Sequence, residues 1–323
     1  MNSQFKEIFE TKDLDACWAE IKAAKSFTLL GHKDPDRDAV FSCLAMAEVL
    51  KLLGKTNVQI IFPNKPYFKV QTTAAKVLHG KHGFVADLTI VFDSSTKDRI
   101  YFPAEFEKTT VINIDHHMGN SINGKYNFVD INACSAAEVL ARLVFAWDEK
   151  NLTPELAQLL MIGILDDSIV FKTQQSGYSA LSSALKLIEH GADFVKAKAI
   201  VASYKTPETV RIWAYFMSCG ELIADGRLFV IKVSQVDLKK LNFDLDALEG
   251  LVNFVSNVIV TDVVALIRET ETEVKVSMRS KKTDVREIAA KFGGGGHKLA
   301  AGFAKKESLD EVVLQLIKCL KLS

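Results

Sequence analysis

Apolar residues recur along this chain in two rhythms that trade places. Leu14, Cys17, Trp18 and Ile21 fall at helical spacing and predict an amphipathic helix over 13–25. The apolar run 26–31 predicts a strand, after which a polar loop leads into a helix over 38–53 stopped by Gly54. Further strands are predicted at 57–62, 88–92 and 110–114, with a helix over 66–79 between the first two. Strands alternating with helices in this way imply a mainly parallel sheet crossed by helices. Helical spacing then takes over at 135–150, 153–166, 176–190 and 193–218, with breaks near Gly191 and Pro207.

The rhythm changes after residue 218. Asp225-Gly226 between two apolar runs is a strong hairpin signal. A helical patch at 244–254 precedes two long β-type runs, 257–269 and 272–280, and Thr283-Asp284 can cap a helix over 285–291. A glycine run, a short strand at 298–304 and a helix at 308–320 follow. A chain of 323 residues exceeds one comfortable core, so the expectation is a two-domain α/β protein. Its mainly parallel-sheet N-terminal domain would span 1–190, a helical linker 191–217, and a smaller α/β C-terminal domain 218–323.

Composition narrows the partners. Apolar residues make up 48% and charged residues 25%, the mix of an ordinary soluble globular protein. Lys plus Arg (40) and Asp plus Glu (40) cancel, so no overall field draws in nucleic acid. Polyanion binding must then come from a local patch or from metal. The five cysteines, at 17, 43, 134, 219 and 319, form no Cys-x-x-Cys pair. That argues against a disulfide scaffold or thiolate zinc, and for a reducing compartment. The first residues show no signal pattern, and no apolar run reaches the ~18 residues of a membrane span. The expectation is a cytoplasmic protein with no membrane partner and no stable protein partner; a homodimer is compatible with the sequence.

The chemistry gathers where strands end. Thr110 to Ile114 reads as a short buried strand that runs directly into Asp115, His116 and His117. The strand at 26–31 ends at His32, Asp36 and Asp38, and the strand at 88–92 ends at Asp93. Asp166-Asp167 follows the apolar run Leu159 to Leu165. One Asp-rich loop is an ordinary turn or helix cap. Several elements delivering His and Asp to the carboxyl edge of a parallel sheet, where ligands bind, are not explained as caps. Unpaired carboxylates at close range repel and raise one another's pKa, a problem that divalent cations remove. The imidazole and carboxylate mix suits Mn²⁺, and less well Mg²⁺, Co²⁺ or Zn²⁺. There are ligands enough for two ions, which at ~3.5–4 Å separation suit phosphoester displacement.

The C-terminal half has its own signal. Gly293 to Gly296 cost conformational entropy and pack nothing, whereas a helix stop after Phe292 needs one glycine. Gly294, Gly295 and Gly296 would let backbone amides approach an anion, with His297 and Arg279 adding charge-assisted hydrogen bonds. Arg279 closes a long apolar strand; Arg268, Lys281, Lys282, Arg286 and Lys298 read mostly as solvated surface. His79, His82 and His190 have no acidic partner in register and read as surface or loop residues. Trp147 and Trp213 read as core, and Phe292 and Phe303 are the aromatics best placed to stack a base.

These residues resemble the DHH phosphoesterase superfamily, named for the triplet that stands here as Asp115-His116-His117. Its first motif, His-x-x-Pro-Asp-x-Asp-Ala, is matched by His32, Pro35, Asp36, Asp38 and Ala39 with one extra residue before Pro35. Asp93 matches the second motif, and Gly163 to Phe171 match Gly-Ile-x-x-Asp-Thr-Gly-x-Phe. Ser277-x-Arg279-Ser280 and Gly293 to His297 look like the DHH-associated C-terminal domain. The arrangement is most similar to bacterial nano-RNases of the NrnA type that also hydrolyse 3′-phosphoadenosine 5′-phosphate. Arg37 stands where a small residue is usual, Val40-Phe41-Ser42 lacks the Gly usual before Ser42, and Asp166, Ser168 and Ile169 replace Gly, Thr and Gly.

The resemblance implies roles. One Mn²⁺ would be held by His32, Asp36 and Asp93, the other by Asp38, Asp93, His116 and Asp167, with Asp93 bridging. His117 would face the scissile phosphate and Asp115 would orient the histidines. Asp166 competes with Asp167 for the ligand role, and register favours Asp167. The implied activity is two-metal hydrolysis of very short RNAs to nucleoside 5′-monophosphates by an activated hydroxide, in a cleft between the domains. The resemblance also implies 3′-phosphoadenosine 5′-phosphate as a second substrate. Phosphodiesterases of linear or cyclic signalling dinucleotides are the nearest rival. A non-catalytic nucleotide-binding regulator is a rival of another class, which the complete ligand set argues against.

Overall fold

The computed structural model describes residues 9, 11–68, 70, 72–202 and 205–321. It divides into two compact units, Met1–Ser203 and Tyr204–Ser323. The first is built on six strands: β1 (Ser26–Leu30), β2 (Asn57–Phe62), β3 (Lys76–His79), β4 (Leu88–Phe92), β5 (Thr110–Asp115) and β6 (Tyr126–Val129). All pair in parallel, in the order β3-β2-β1-β4-β5-β6. Every residue of β1 and β4 is buried, as strands covered on both faces must be.

Side-chain alternation divides the two faces. Phe27, Leu29, Ile60, Ile90, Phe92 and Ile112 join the main core, with α1 (Thr11–Ala23), α2 (Arg37–Leu52), α3 (Ala136–Asp148), α4 (Pro154–Asp167), α5 (Tyr178–Glu189) and α6 (Phe194–Val201). Leu30, Ile61 and Val91 face a smaller cluster closed by Ile100, Phe106 and Ile122. Polar residues on this second face are satisfied: Gln59 Nε2 donates to Thr28 Oγ1 at 2.9 Å and to the Phe84 carbonyl at 2.7 Å. The helices start where side chains can accept their first amides, at Asp36, Ser135 and Thr153.

Two elements of this unit differ from the reading of the sequence. The segment 66–79 is no helix: its described residues form bends and then β3, with 69 and 71 outside the described residues. Thr72, Thr73 and Val77 are β-branched, and pairing with β2 rewards extension at the sheet edge. The short β6 carries no strong apolar run; only Tyr126 and Phe128 face inward. The run 193–218 is two helices, α6 and α7 (Pro207–Ser218), with 203 and 204 outside the described residues. Pro207 opens α7 behind the Thr206 cap. Thus the stretch 191–217 divides, with α6 in the first unit and α7 in the second.

The second unit is a mixed sheet of β7 (Glu221–Ile223), β8 (Leu228–Val233), β9 (Val263–Glu269), β10 (Val274–Ser280), β11 (Gly295–His297) and β12 (Ala300–Lys305). Its order is β11-β12-β10-β9-β8-β7, parallel only between β8 and β9. The hairpin turn stands at Asp225-Gly226, both at positive φ. One core packs α10 (Val285–Ala290) and α11 (Leu309–Lys321) on the sheet; another holds Trp213 and Phe216 of α7 with α8 (Gln235–Leu241) and α9 (Leu251–Val258). α8 is absent from the sequence reading, although Ser234 and Asp237 form its capping box. The helical patch at 244–254 is a 3-10 turn at Leu245–Leu248 followed by α9, which takes the first residues of the strand expected at 257–269. Among the described residues, no helix is long and apolar enough to cross a membrane.

Candidate metal centre

In the first unit the chain leaves β1 toward β2 on one side, while β4 and β5 extend the sheet on the other. Such a reversal leaves a crevice at the carboxyl ends of β1 and β4, where doubly wound sheets bind ligands. Gly31 lets the chain turn there: a Cβ on it would lie 2.5 Å from Phe62 Cε1. His32 follows, buried, and its Nε2 lies 3.5 Å from Asp36 Oδ2 and 3.3 Å from Asp93 Oδ2. Asp36 serves twice, since Oδ1 also accepts the Ala39 amide as the cap of α2. Asp93 sits just past β4 at φ 51°, a left-handed conformation costly for a residue with a Cβ.

The other Asp93 oxygen faces a second group. Its Oδ1 lies 3.4 Å from His116 Nε2, and that nitrogen lies 3.2 Å from Asp167 Oδ2 at the end of α4. Asp38, His116 and Asp167 each present a ligand atom within 4.8 Å of the others, as do His32, Asp36 and Asp93. Asp38 is fully buried and fixed by the start of α3, accepting the amides of Ala136 (2.7 Å) and Ala137 (2.9 Å). Gly163 of α4 admits this contact, because a Cβ there would meet Ala137 Cβ at 2.5 Å and Asp38 Oδ1 at 3.1 Å.

The titratable groups in this space perturb one another strongly. Burial pushes the Asp38 carboxyl well above the usual range, with Asp93 and Asp167 adding to it. Burial likewise raises Asp167 to about 7, against the pull of His116. For Asp93 burial acts upward too, yet the imidazoles of His116 and His32 beside it hold it below the ordinary carboxylate range. Burial disfavours charge on His32 and His116, but their carboxylate partners raise each to about 10. Among the described residues, His116 Nε2 is buried with no hydrogen-bond partner, while Nδ1 faces the Ala133 carbonyl at 3.3 Å. A buried imidazole nitrogen aimed between carboxylates is a ligand geometry, and the donor set fits a divalent cation. The residues therefore suit a metal centre with Asp93 at its middle.

Asp115 and His117 form a third such group with Asp93 and His116. Asp115 is fully buried at the end of β5; Oδ1 lies 2.8 Å from His117 Nδ1, and Oδ2 accepts from Asn120. Burial opposes charge on His117, but Asp115 and Asp93 raise its pKa. Thus Asp115 orients His117, whereas a backbone carbonyl positions His116. The sequence reading missed Asn120 and a buried ionic network. Arg142 donates to Asp130 at 2.6 Å and lies 3.8 Å from Glu138, whose carboxylate accepts the Cys134 amide at 2.8 Å and the Ser179 hydroxyl at 2.6 Å. The signal was present: Glu138 and Arg142 are charges at i, i+4 inside an otherwise apolar helix.

Among the described residues, Asp166 is absent from the three His and Asp groups that could hold an ion, and its carboxylate engages Arg37 instead. Of the other histidines, His79 is exposed at the end of β3. His82 is not a plain surface residue, since it bonds Tyr101 at 3.0 Å and packs on Phe106. His190 does face an acid, Glu149, at 3.8 Å.

In the second unit, Arg279 of β10 and His297 of β11 flank the small Ala300 of β12 on one rung. Residues on one rung share a face and stand two strand spacings apart, roughly 10 Å. Arg279 Nε donates to Asn253 at 2.6 Å, and Nη1 to the Met278 carbonyl at 2.9 Å. Packing explains two of the glycines. A Cβ on Gly294 would lie 2.2 Å from the Gly302 carbonyl, and one on Gly296 2.5 Å from the Ala300 carbonyl. Gly293 stands at φ 76° after α10, but Gly295 has open space and no positive φ. Phe303 belongs to the core and stacks on Phe292 at 4.5 Å, which removes the expected base platform.

The comparisons with known proteins agree with this geometry. Residues 26–164 match the DHH family N-terminal domain, and 225–322 match the DHHA1 domain. The chain is 27% identical over 298 residues to the bifunctional oligoribonuclease and PAP phosphatase NrnA of Thermus thermophilus, covering 90% of this chain and 87% of that protein. It is 28% identical over 234 residues to a manganese-dependent inorganic pyrophosphatase of Methanocaldococcus jannaschii, covering 66% and 74%. An exopolyphosphatase-related protein from Bacteroides fragilis has the same fold, with TM-score 0.86, 20% identity and 96% coverage of both chains. The chain belongs to the DHH phosphoesterase family, with a DHH domain carrying the buried Asp and His cluster and a DHHA1 domain after it.

Proposed function

We propose that this protein is a Mn²⁺-dependent phosphoesterase that degrades very short oligoribonucleotides to nucleoside 5′-monophosphates and converts 3′-phosphoadenosine 5′-phosphate to AMP. The observation that carries the reading is Asp93, whose two oxygens face two separate ligand groups at 3.3 and 3.4 Å. His32 and Asp36 would hold one ion with Asp93, and Asp38, His116 and Asp167 the other. When bound, two such ions lower the pKa of water and neutralise the charge that develops on a phosphate. The related NrnA protein supports the choice of substrates, and the related pyrophosphatase supports manganese.

The chain's own residues supply the rest. Asp115 holds His117 by Nδ1, so the ring would face the scissile phosphate in one orientation and, when protonated, donate a hydrogen bond to it. Burial of Asp38, Asp93 and His32 keeps bulk water from competing for their ligand atoms. Arg279, His297 and the amides of Gly295 and Gly296 bind a terminal phosphate, and Gly295 is the position that packing leaves without a reason; the Gly294 amide is spent on the Ala289 carbonyl at 2.9 Å. End-labelled RNAs of two to ten nucleotides, assayed with Mn²⁺ beside 3′-phosphoadenosine 5′-phosphate, test the proposal. Mononucleotide release that is fastest on the shortest RNAs is expected. No hydrolysis with Mn²⁺, or equal rates on all lengths, would overturn it.

A further inference from the structure

Arg37 lies between the candidate ligands Asp36 and Asp38, yet its side chain turns to neither. One Asp166 oxygen accepts its backbone amide at 3.2 Å, and the other lies 3.4 Å from Nη1. Nη1 also donates to the Tyr67 hydroxyl at 2.6 Å. The guanidinium carbon stands 5.3 Å from the Tyr67 ring centre and 5.0 Å from that of Phe68, and Phe68 stacks on Phe41 at 6.2 Å. Asp166 therefore spends both oxygens on Arg37. An acid, a phenol and two rings fix a single edge of the guanidinium.

The other edge is unpaired. Among the described residues, Nε and Nη2 have no protein partner, and neither is fully buried, although the side chain as a whole is only 14% exposed. A planar fork locked on one side and free on the other is preorganised for two parallel bonds to an anion. It is one residue from a ligand of each metal group, so an anion held there sits beside the metals and not between them. We infer that Arg37 is a specificity-determining residue that grips a second internucleotide phosphate, next along the strand to the scissile one, with Asp166 and Tyr67 as its positioning residues. This rests on the phosphoesterase reading above.

A 5′-phosphorylated diadenylate has a scissile and a terminal phosphate; the triadenylate adds a second internucleotide phosphate for Arg37. The test is the triadenylate-to-diadenylate ratio of kcat/KM with Mn²⁺, in the wild type, Arg37→Ala and Arg37→Lys. The ratio is expected to fall about 10–100-fold in Arg37→Ala, mainly through KM, with partial recovery in Arg37→Lys. A ratio equal to the wild type's overturns the inference, even where both rates fall together, because a merely structural role would lower both alike. Equilibrium binding of the same two RNAs without divalent cation repeats the ratio without turnover. Absent wild-type hydrolysis with an intact binding ratio would count against the phosphoesterase reading and leave the role of Arg37 standing.

Discussion

Asp38 accepts the backbone amide of Ala136 at 2.7 Å, so a candidate ligand on α2 is oriented by the start of α3, 98 residues away. The loop before α3 also supplies the Ala133 carbonyl that faces His116 Nδ1. Arg142, Asp130 and Glu138 hold that loop from beneath, and all three are buried. Arg142→Ala would leave two acids uncompensated, at a cost of about 3–5 kcal/mol. The thermal midpoint should drop by roughly 6–20 °C. In the milder Glu138→Gln, Mn²⁺ affinity measured by calorimetry should weaken by about 10–100-fold. A folded Glu138→Gln protein that binds Mn²⁺ like the wild type would show that this loop does not set ligand geometry.

Removing Asp93 should do more harm than removing Asp115. Asp93→Asn takes a charged oxygen from both ligand groups, so Mn²⁺-stimulated hydrolysis should disappear. Asp115→Asn leaves the His32, Asp36, Asp93 and the Asp38, His116, Asp167 groups intact and loosens His117, so activity should fall by about 10–100-fold while Mn²⁺ still binds. Steady-state rates beside calorimetric metal titrations separate the two variants. Full activity in His116→Ala would contradict the ligand assignment.

Much of this site was legible in the sequence because it is built at strand ends. A run such as Thr110 to Ile114 announces a buried strand, and the acid and histidines after it must sit at the sheet's carboxyl edge. What was not legible depends on contacts between distant segments. Lys76 to His79 became a strand because β2 offered an edge to pair with. Arg37 and Asp166, each a departure from the family pattern, are 129 residues apart and make sense only as partners. Gly294 and Gly296 looked like part of an anion loop, but neighbouring carbonyls already exclude a side chain there.

Metal binding should release protons. In the metal-free protein His32 and His116 are raised to about 10, from an ordinary value of 6.5, so both are charged at neutral pH. Raised pKa values stabilise the metal-free fold fully below the ordinary value, and that contribution is lost as pH climbs through about 10. Mn²⁺ takes neutral imidazole, so it must displace these protons, and its apparent affinity should tighten between pH 6 and 9. Calorimetry in buffers of different ionisation enthalpy reads the proton release directly. Affinity independent of pH over this window would show that the imidazoles do not bind the ion.

The turn after Asp167 stores strain that can be removed. Ile169, Val170 and Phe171 take φ values of 49°, 55° and 61°, a left-handed turn that costs side chains with a Cβ roughly 1–2 kcal/mol each. The turn is held by Ser168, whose carbonyl accepts the amides of Lys172 at 2.7 Å and Thr173 at 3.2 Å. Ile169 is 49% exposed, so little packing is lost when its side chain goes. Ile169→Gly should therefore stabilise the protein by about 1 kcal/mol after the entropy cost of glycine, raising the melting temperature by roughly 2–4 °C. Strain that persists beside reactive groups commonly fixes their geometry. Turnover with Mn²⁺ should then fall in the same variant, as the segment after Asp167 gains freedom. An unchanged or lower melting temperature would mean that the turn is not strained at Ile169.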